Sequence, residues 1–236
     1  MDKNDGMFLQ GDGDFGVLLL HGFTAQAEQM RELAQVLHEN RFTARVPMLP
    51  GHGQGAEALE NVTWRDWLAS ARQEYTLLRQ ECSRVAVAGL SMGGALAAIL
   101  AEEYPVEALA LFSPCLRMKQ GTAWAARIVR IGTVYKTDDK GNREFPLWKG
   151  YDVWRLAAKA MMSAFAVTCP VLVFQSALDT TIDPRGAKQF VNSVSSREKE
   201  YFRLEKSGHV CTHGPEKEFL IKKTTEFFNR VRAGEK

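Results

Sequence analysis

The feature that most constrains this chain is a set of strand-length runs that are almost wholly apolar instead of alternating. Phe15-Gly16-Val17-Leu18-Leu19-Leu20 is the clearest, followed by Arg84-Val85-Ala86-Val87-Ala88, Ala108-Leu109-Ala110-Leu111-Phe112 and Val171-Leu172-Val173-Phe174-Gln175. A strand that is apolar on both faces must be covered on both faces, as in a parallel sheet flanked by crossover helices. Helix-length amphipathic stretches separate these runs. Gln26 to Asn40 carries Met30, Leu33, Ala34 and Leu37 at helical spacing. Thr63, with Asp66 three residues on, predicts an N-cap opening a helix to about Gln80. Met92 to Tyr104 reads as the next helix. Asp183-Pro184 supplies an N-cap and a first-turn proline for a helix to about Val194, and Glu216 to Val231 is the last helix. Thr43 to Val46 and Lys199 to Leu204 read as shorter strands, and Gly11-Asp12-Gly13-Asp14 as a polar turn. The fold class is therefore α/β, with a mostly parallel central sheet and helices on both faces.

One segment interrupts this rhythm. Between Ser113 and about Thr168 the sequence predicts no strand, although its flanks behave as successive strands of one sheet. Trp124, Ile128, Ile131 and Tyr135 fall at i, i+4, i+7 and i+11, the spacing of one helical stripe. The polar turn Asp138-Asp139-Lys140-Gly141-Asn142 and a second helix near Asp152 to Phe165 follow. The reading is a single domain over 1–236 with a small helical cap inserted at about 114–168. Trp124, Ile128 and Trp154 are candidates for lining a substrate pocket in that cap, and packing the cap on the body explains them equally well.

Composition narrows the function classes. The chain has 236 residues and a net charge of +2, with Lys and Arg scattered among Asp and Glu. No basic footprint for nucleic acid is present. No run reaches the roughly 18 apolar residues needed to span a bilayer. The N-terminus, Met1-Asp2-Lys3-Asn4-Asp5-Gly6, lacks the basic-then-apolar order of a signal peptide. Cys82, Cys115, Cys169 and Cys211 form no C-x-x-C pair, which fits four reduced thiols in the cytoplasm. The sequence contains no H-E-x-x-H, no P-loop and no dinucleotide fingerprint, so no metal or nucleotide cofactor is implied. Oligomeric state leaves no signature.

The chemistry is carried by Gly89-Leu90-Ser91-Met92-Gly93, a G-x-S-x-G directly after a buried strand and directly before a helix. A serine at such a turn is held clear of the sheet, and the turn is too tight for side chains two positions to either side. Its hydroxyl needs a base. Of the five histidines, His38 lies within a helix, while His21 and His52 sit in glycine-containing loops and are structural or cleft-lining. His209, in Ser207-Gly208-His209 after the last strand, is the candidate base; His213, on the same loop, is its rival. Asp179, after the strand ending at Gln175, is the candidate acid that fixes the imidazole tautomer. Asp183 suits a helix cap better, and Asp152 lies in the cap. The chain order Ser…Asp…His is that of α/β-hydrolases and differs from chymotrypsin-like and subtilisin-like enzymes. Developing oxyanion charge needs donors. The N–H of Met92, one residue past the serine, and that of Phe23, in the loop His21-Gly22-Phe23, are the candidates.

These segments resemble the α/β-hydrolase superfamily, and within it the small bacterial carboxylesterases and monoacylglycerol lipases. The resemblance rests on Leu19-Leu20-His21-Gly22-Phe23-Thr24, Pro50-Gly51-His52-Gly53, Gly89-Leu90-Ser91-Met92-Gly93-Gly94, Asp179-Thr180-Thr181-Ile182-Asp183-Pro184 and Ser207-Gly208-His209-Val210. It spans most of the chain outside the cap. It implies Ser91 as nucleophile, His209 as base, Asp179 as acid, Phe23 and Met92 as oxyanion donors, and a cap whose apolar face closes the acyl pocket. The departures are a short N-terminus, which predicts abbreviated leading antiparallel strands, and Ser176-Ala177-Leu178 ahead of the acid. The expected activity is hydrolysis of small apolar or acylglycerol-type carboxylic esters through an acyl-enzyme. A thioesterase or carbon–carbon bond hydrolase would use the same triad, and a non-catalytic ligand-binding relative is the alternative outside the enzymes.

Overall fold

The computed structural model describes residues 6–119, 135–137 and 143–234. The main sheet contains β1 (Met7–Leu9), β2 (Phe15–Leu20), β3 (Thr43–Val46), β4 (Arg84–Leu90), β5 (Leu109–Phe112), β8 (Val171–Ser176) and β9 (Lys199–Leu204), in the spatial order β1-β3-β2-β4-β5-β8-β9. Every neighbouring pair is parallel except β1 with β3, where Met7 faces Val46 and Leu9 faces Ala44. Among the described residues, the leading antiparallel part is the three-residue strand β1.

The apolar runs fold as they do because alternate residues feed two separate core layers. Leu18, Leu20, Val85, Val87, Leu109, Leu111, Val171 and Val173 enter one layer, with α2 (Trp64–Glu81), α3 (Met92–Glu103), α4 (Lys149–Ser163) and α5 (Arg185–Ser193). Val17, Leu19, Ala86, Ala88, Ala110, Phe112, Leu172 and Phe174 enter the other, with α1 (Glu28–Glu39) and α6 (Lys217–Ala233). Burying each such Leu or Val contributes about 1.5–3 kcal/mol, so neither face could be left wet.

Local signals set the helix starts. Thr63 and Asp66 form the capping box: the Thr63 side chain accepts from the Arg65 N–H, and Asp66 Oδ2 accepts from the Thr63 N–H at 2.7 Å. Asp183 Oδ1 accepts the Arg185 N–H at 3.0 Å at the start of α5. No helix among the described residues is long and apolar enough to cross a membrane.

The region between β5 and β8 corrects one expectation. It holds a two-stranded antiparallel hairpin, β6 (Tyr135–Thr137) and β7 (Arg143–Pro146), before α4. Tyr135 therefore lies in a strand and not on the helical stripe assigned to it. Strands of three and four residues are too short for their alternation to outweigh a helical spacing that happens to overlap them. Trp124, Ile128, Ile131 and the turn 138–142 lie outside the described residues. The second helix of the insertion is present and begins earlier than expected, at Lys149, packing against α3.

Candidate active site

The nucleophile elbow is held by exclusion of side chains. Ser91 has φ 54°, a left-handed conformation that an L-residue adopts only under compulsion. A Cβ on Gly93 would stand 2.1 Å from the Leu20 carbonyl oxygen, and one on Gly89 would stand 2.2 Å from that of Gly93. Both glycines are thus required by close backbone approach. Ser91 N–H donates to the Phe112 carbonyl at 3.0 Å, and its own carbonyl accepts from Cys115 N–H at 2.9 Å, pinning the turn to the next strand.

Three side chains from separate loops at the C-terminal ends of β4, β8 and β9 converge there. His209 Nε2 is 2.8 Å from Ser91 Oγ, and His209 Nδ1 is 2.7 Å from Asp179 Oδ2. A carboxylate only accepts, so Nδ1 carries the proton and Nε2 presents its lone pair to the serine hydroxyl. Asp179 Oδ1 accepts from the Thr181 and Ile182 N–H groups at 2.9 and 3.1 Å. Burial disfavours the Asp179 carboxylate, but the bond to His209 and the Thr181 and Ile182 N–H groups outweigh it and hold the carboxyl below the usual range. Gln175 Nε2 adds a longer contact to Oδ2, at 3.4 Å. The histidine loop is closed by Glu216, whose carboxylate accepts from Glu205 N–H, Lys206 N–H and Ser207 O–H.

The rival residues stand elsewhere. His213 is exposed in the short 3-10 turn Cys211–His213. Asp183 is bonded to Arg117 and Arg185, and Asp152 to Lys149. His21 is fully buried: its Nε2 accepts the Leu49 N–H at 3.1 Å and its Nδ1–H donates to the Gly22 carbonyl at 2.9 Å. That bond orients the Gly22–Phe23 peptide, whose N–H belongs to Phe23. His52 packs against His21 and Phe23, with ring centroids at 5.0 and 6.0 Å. Among the described residues, neither the Phe23 nor the Met92 N–H has a protein acceptor. The Met92 side chain is buried in the core.

Above Ser91 lies a cavity of about 530 Å³. Met118, Phe145, Leu147, Val153 and Ile182 make an apolar wall on the insertion side; Thr24, Ala25, Gln29 and Val210 form the side toward α1 and the histidine loop. Trp154 departs from expectation. Gly150 and Val153 face the cavity, whereas Trp154, one residue further round the helix, is 40% exposed and stacks on Tyr151. Gln29, Cys115, Met118, Phe145 and Ile182 had no sequence signal as cavity residues. The available signal for Gln29 is a polar side chain in the first helical turn after the His21-Gly22-Phe23 loop.

The assembly can do acyl-transfer chemistry: a hydroxyl in contact with an oriented base, and that base on a buried carboxylate. Comparison with known proteins agrees. The family described as serine aminopeptidase, S33 matches residues 14–138, over half of the chain. The thermostable monoacylglycerol lipase of Bacillus sp. (strain H-257) is 33% identical over 232 residues, covering 94% of this chain and 93% of its own. A carboxylesterase of Bacillus subtilis (strain 168) is 26% identical over 231 residues, covering 93% and 94%. A solved structure from work on LipS and LipT, two metagenome-derived lipolytic enzymes, superposes with a TM-score of 0.90 at 27% identity, covering 99% of each chain. The chain belongs to the serine aminopeptidase, S33 family of the α/β-hydrolase superfamily, and it is a serine hydrolase of small esters.

Proposed function

We propose that the protein hydrolyses small apolar and acylglycerol-type carboxylic esters through an acyl-enzyme on Ser91. The observation that carries this is the continuous chain Ser91 Oγ–His209–Asp179, with contacts of 2.8 and 2.7 Å, at the base of a predominantly apolar cavity. Ser91 attacks the ester carbonyl while His209 takes its proton. The Phe23 and Met92 N–H groups receive the oxyanion. His209 then protonates the leaving alcohol, and water repeats the cycle on the acyl-enzyme.

The segment between β5 and β8 acts in this reading as a cap on a single domain, its Phe145, Leu147 and Val153 giving the acyl chain an apolar wall. Similarity to a monoacylglycerol lipase and a carboxylesterase supports acylglycerols and simple carboxylic esters as the substrate class. A cytoplasmic location belongs to the same proposal, supported by four unpaired cysteines. The test is turnover of p-nitrophenyl butyrate and of a short monoacylglycerol by the wild type and by Ser91→Ala. The wild type hydrolyses both and the variant neither. Turnover by the variant at the wild-type rate would refute the assignment.

A further inference from the structure

The carboxamide of Gln29 has one end committed and the other free. Its Oε1 accepts the Gly22 N–H at 3.1 Å. An N–H can be satisfied only by an acceptor, so this bond fixes which way the amide is turned and directs Nε2 away from Gly22. Gln29 lines the cavity, and among the described residues its Nε2 has no protein acceptor. The group is close to the chemistry: a Cβ built on Gly22 would stand 3.3 Å from Gln29 Oε1 and 3.5 Å from Ser91 Cβ.

Its side of the cavity decides what it meets. The insertion-side wall is made of Met118, Phe145, Val153 and Ile182, which suits an acyl chain. Gln29 belongs to α1, which shares its core layer with Cys211 on the histidine loop. His209 must reach the leaving oxygen to protonate it, so the alcohol half of the ester lies on this side. An oriented donor there discriminates between alcohols that carry a further oxygen and alcohols that do not.

We infer that Gln29 is a specificity-determining residue whose Nε2 hydrogen-bonds an oxygen on the alcohol half, so that esters of hydroxylated or ether-bearing alcohols are preferred over esters of plain alkanols. This rests on Ser91 being the nucleophile. It deepens the substrate class, since glycerol presents such oxygens and butanol does not.

The experiment uses three butyrate esters: butyl, 2-methoxyethyl (an added acceptor only) and 1-glyceryl (donors and acceptors). Values of kcat/KM are measured per active site titrated with a fluorophosphonate, and the readout is the ratio between esters within each protein. Wild type should favour the 2-methoxyethyl and glyceryl esters over butyl by about 3- to 10-fold, the worth of one hydrogen bond. Gln29→Met should flatten both ratios. Gln29→Glu keeps an acceptor for Gly22 but has no donor, so it should lose the 2-methoxyethyl preference and retain the glyceryl one, whose hydroxyl can donate to it. Equal wild-type rates on butyl and 2-methoxyethyl butyrate, or an unchanged 2-methoxyethyl-to-butyl ratio in either variant, would overturn the inference. If labelling and butyl butyrate turnover are normal while the ratio is flat, only the role of Gln29 fails. If the wild type neither labels nor turns over any ester, the Ser91 assignment fails and this inference with it.

Discussion

His21 Nε2 accepts the Leu49 N–H at 3.1 Å, a bond that only a neutral imidazole can make while its Nδ1–H holds the Gly22 carbonyl. Burial and the neighbouring His52 push the His21 pKa down from 6.5 to about 3, and burial lowers that of His52 as well. In the unfolded chain both take up protons near the ordinary value. Between about 6.5 and 3 the unfolded state therefore binds more protons, and stability present above that window is lost as pH falls through it. For His21 alone the slope approaches about 1.4 kcal/mol per pH unit. Urea midpoints at pH 7.5, 5.5 and 4.5 should fall in that order, more shallowly in His21→Gln. A flat profile in the wild type would refute this account.

The elbow glycines and the glycine beside the base should respond in opposite ways. Gly93→Ala sets a methyl 2.1 Å from the Leu20 carbonyl oxygen, against backbone atoms of Leu20 and His21 with nothing flexible to yield. We expect a loss of more than about 3 kcal/mol or failure to fold. Gly208 precedes His209 in a motif of similar appearance, yet a Cβ there meets nothing within 4 Å. Gly208→Ala should stay within about 1 kcal/mol of wild type. Thermal melts of the two variants check the contrast.

Removing Asp152 should cost more than removing its partner. Lys149 is fully buried in α4, with Nζ bonded to the Val62 carbonyl, 3.5 Å from Asp152 Oδ2 and 3.9 Å from the Trp148 ring centroid. Asp152→Ala strands that cation and should cost about 3–5 kcal/mol. Lys149→Met replaces it with an apolar chain of similar length and should cost less. Chemical denaturation of both variants gives the comparison, and equal losses would count against a charge-based explanation.

Much of this was legible in the sequence because the signals were physical and redundant. Apolar runs such as Val171–Phe174 had to be covered on both faces, and the box formed by Thr63 and Asp66 had to start a helix. Ser91, Asp179 and His209 followed from their places after successive strands of the sheet. What stayed hidden depended on contacts distant in the chain. Nothing local distinguishes Lys149, buried against Val62, from a solvated lysine. The hairpin at Tyr135–Thr137 and Arg143–Pro146 is too short to announce itself. Sequence spacing left Trp154 open between lining a pocket and packing the cap, because helix phase, which brings Val153 to the cavity, is set by contacts distant in the chain.

Asp179→Asn should leave the fold intact and lower kcat by about 10⁴, because an amide that donates to Nδ1 favours the tautomer with the proton facing Ser91. KM should change much less. Steady-state kinetics with p-nitrophenyl butyrate, alongside circular dichroism, separates this from loss of structure.

The most direct measurement is mass spectrometry of the protein after exposure to a fluorophosphonate, with ester turnover followed in parallel. The account predicts a single adduct on the peptide containing Ser91, loss of turnover in step with labelling, and neither labelling nor turnover in Ser91→Ala. An adduct on another residue that abolishes turnover, or a Ser91→Ala protein that still hydrolyses the ester at the wild-type rate, would contradict it.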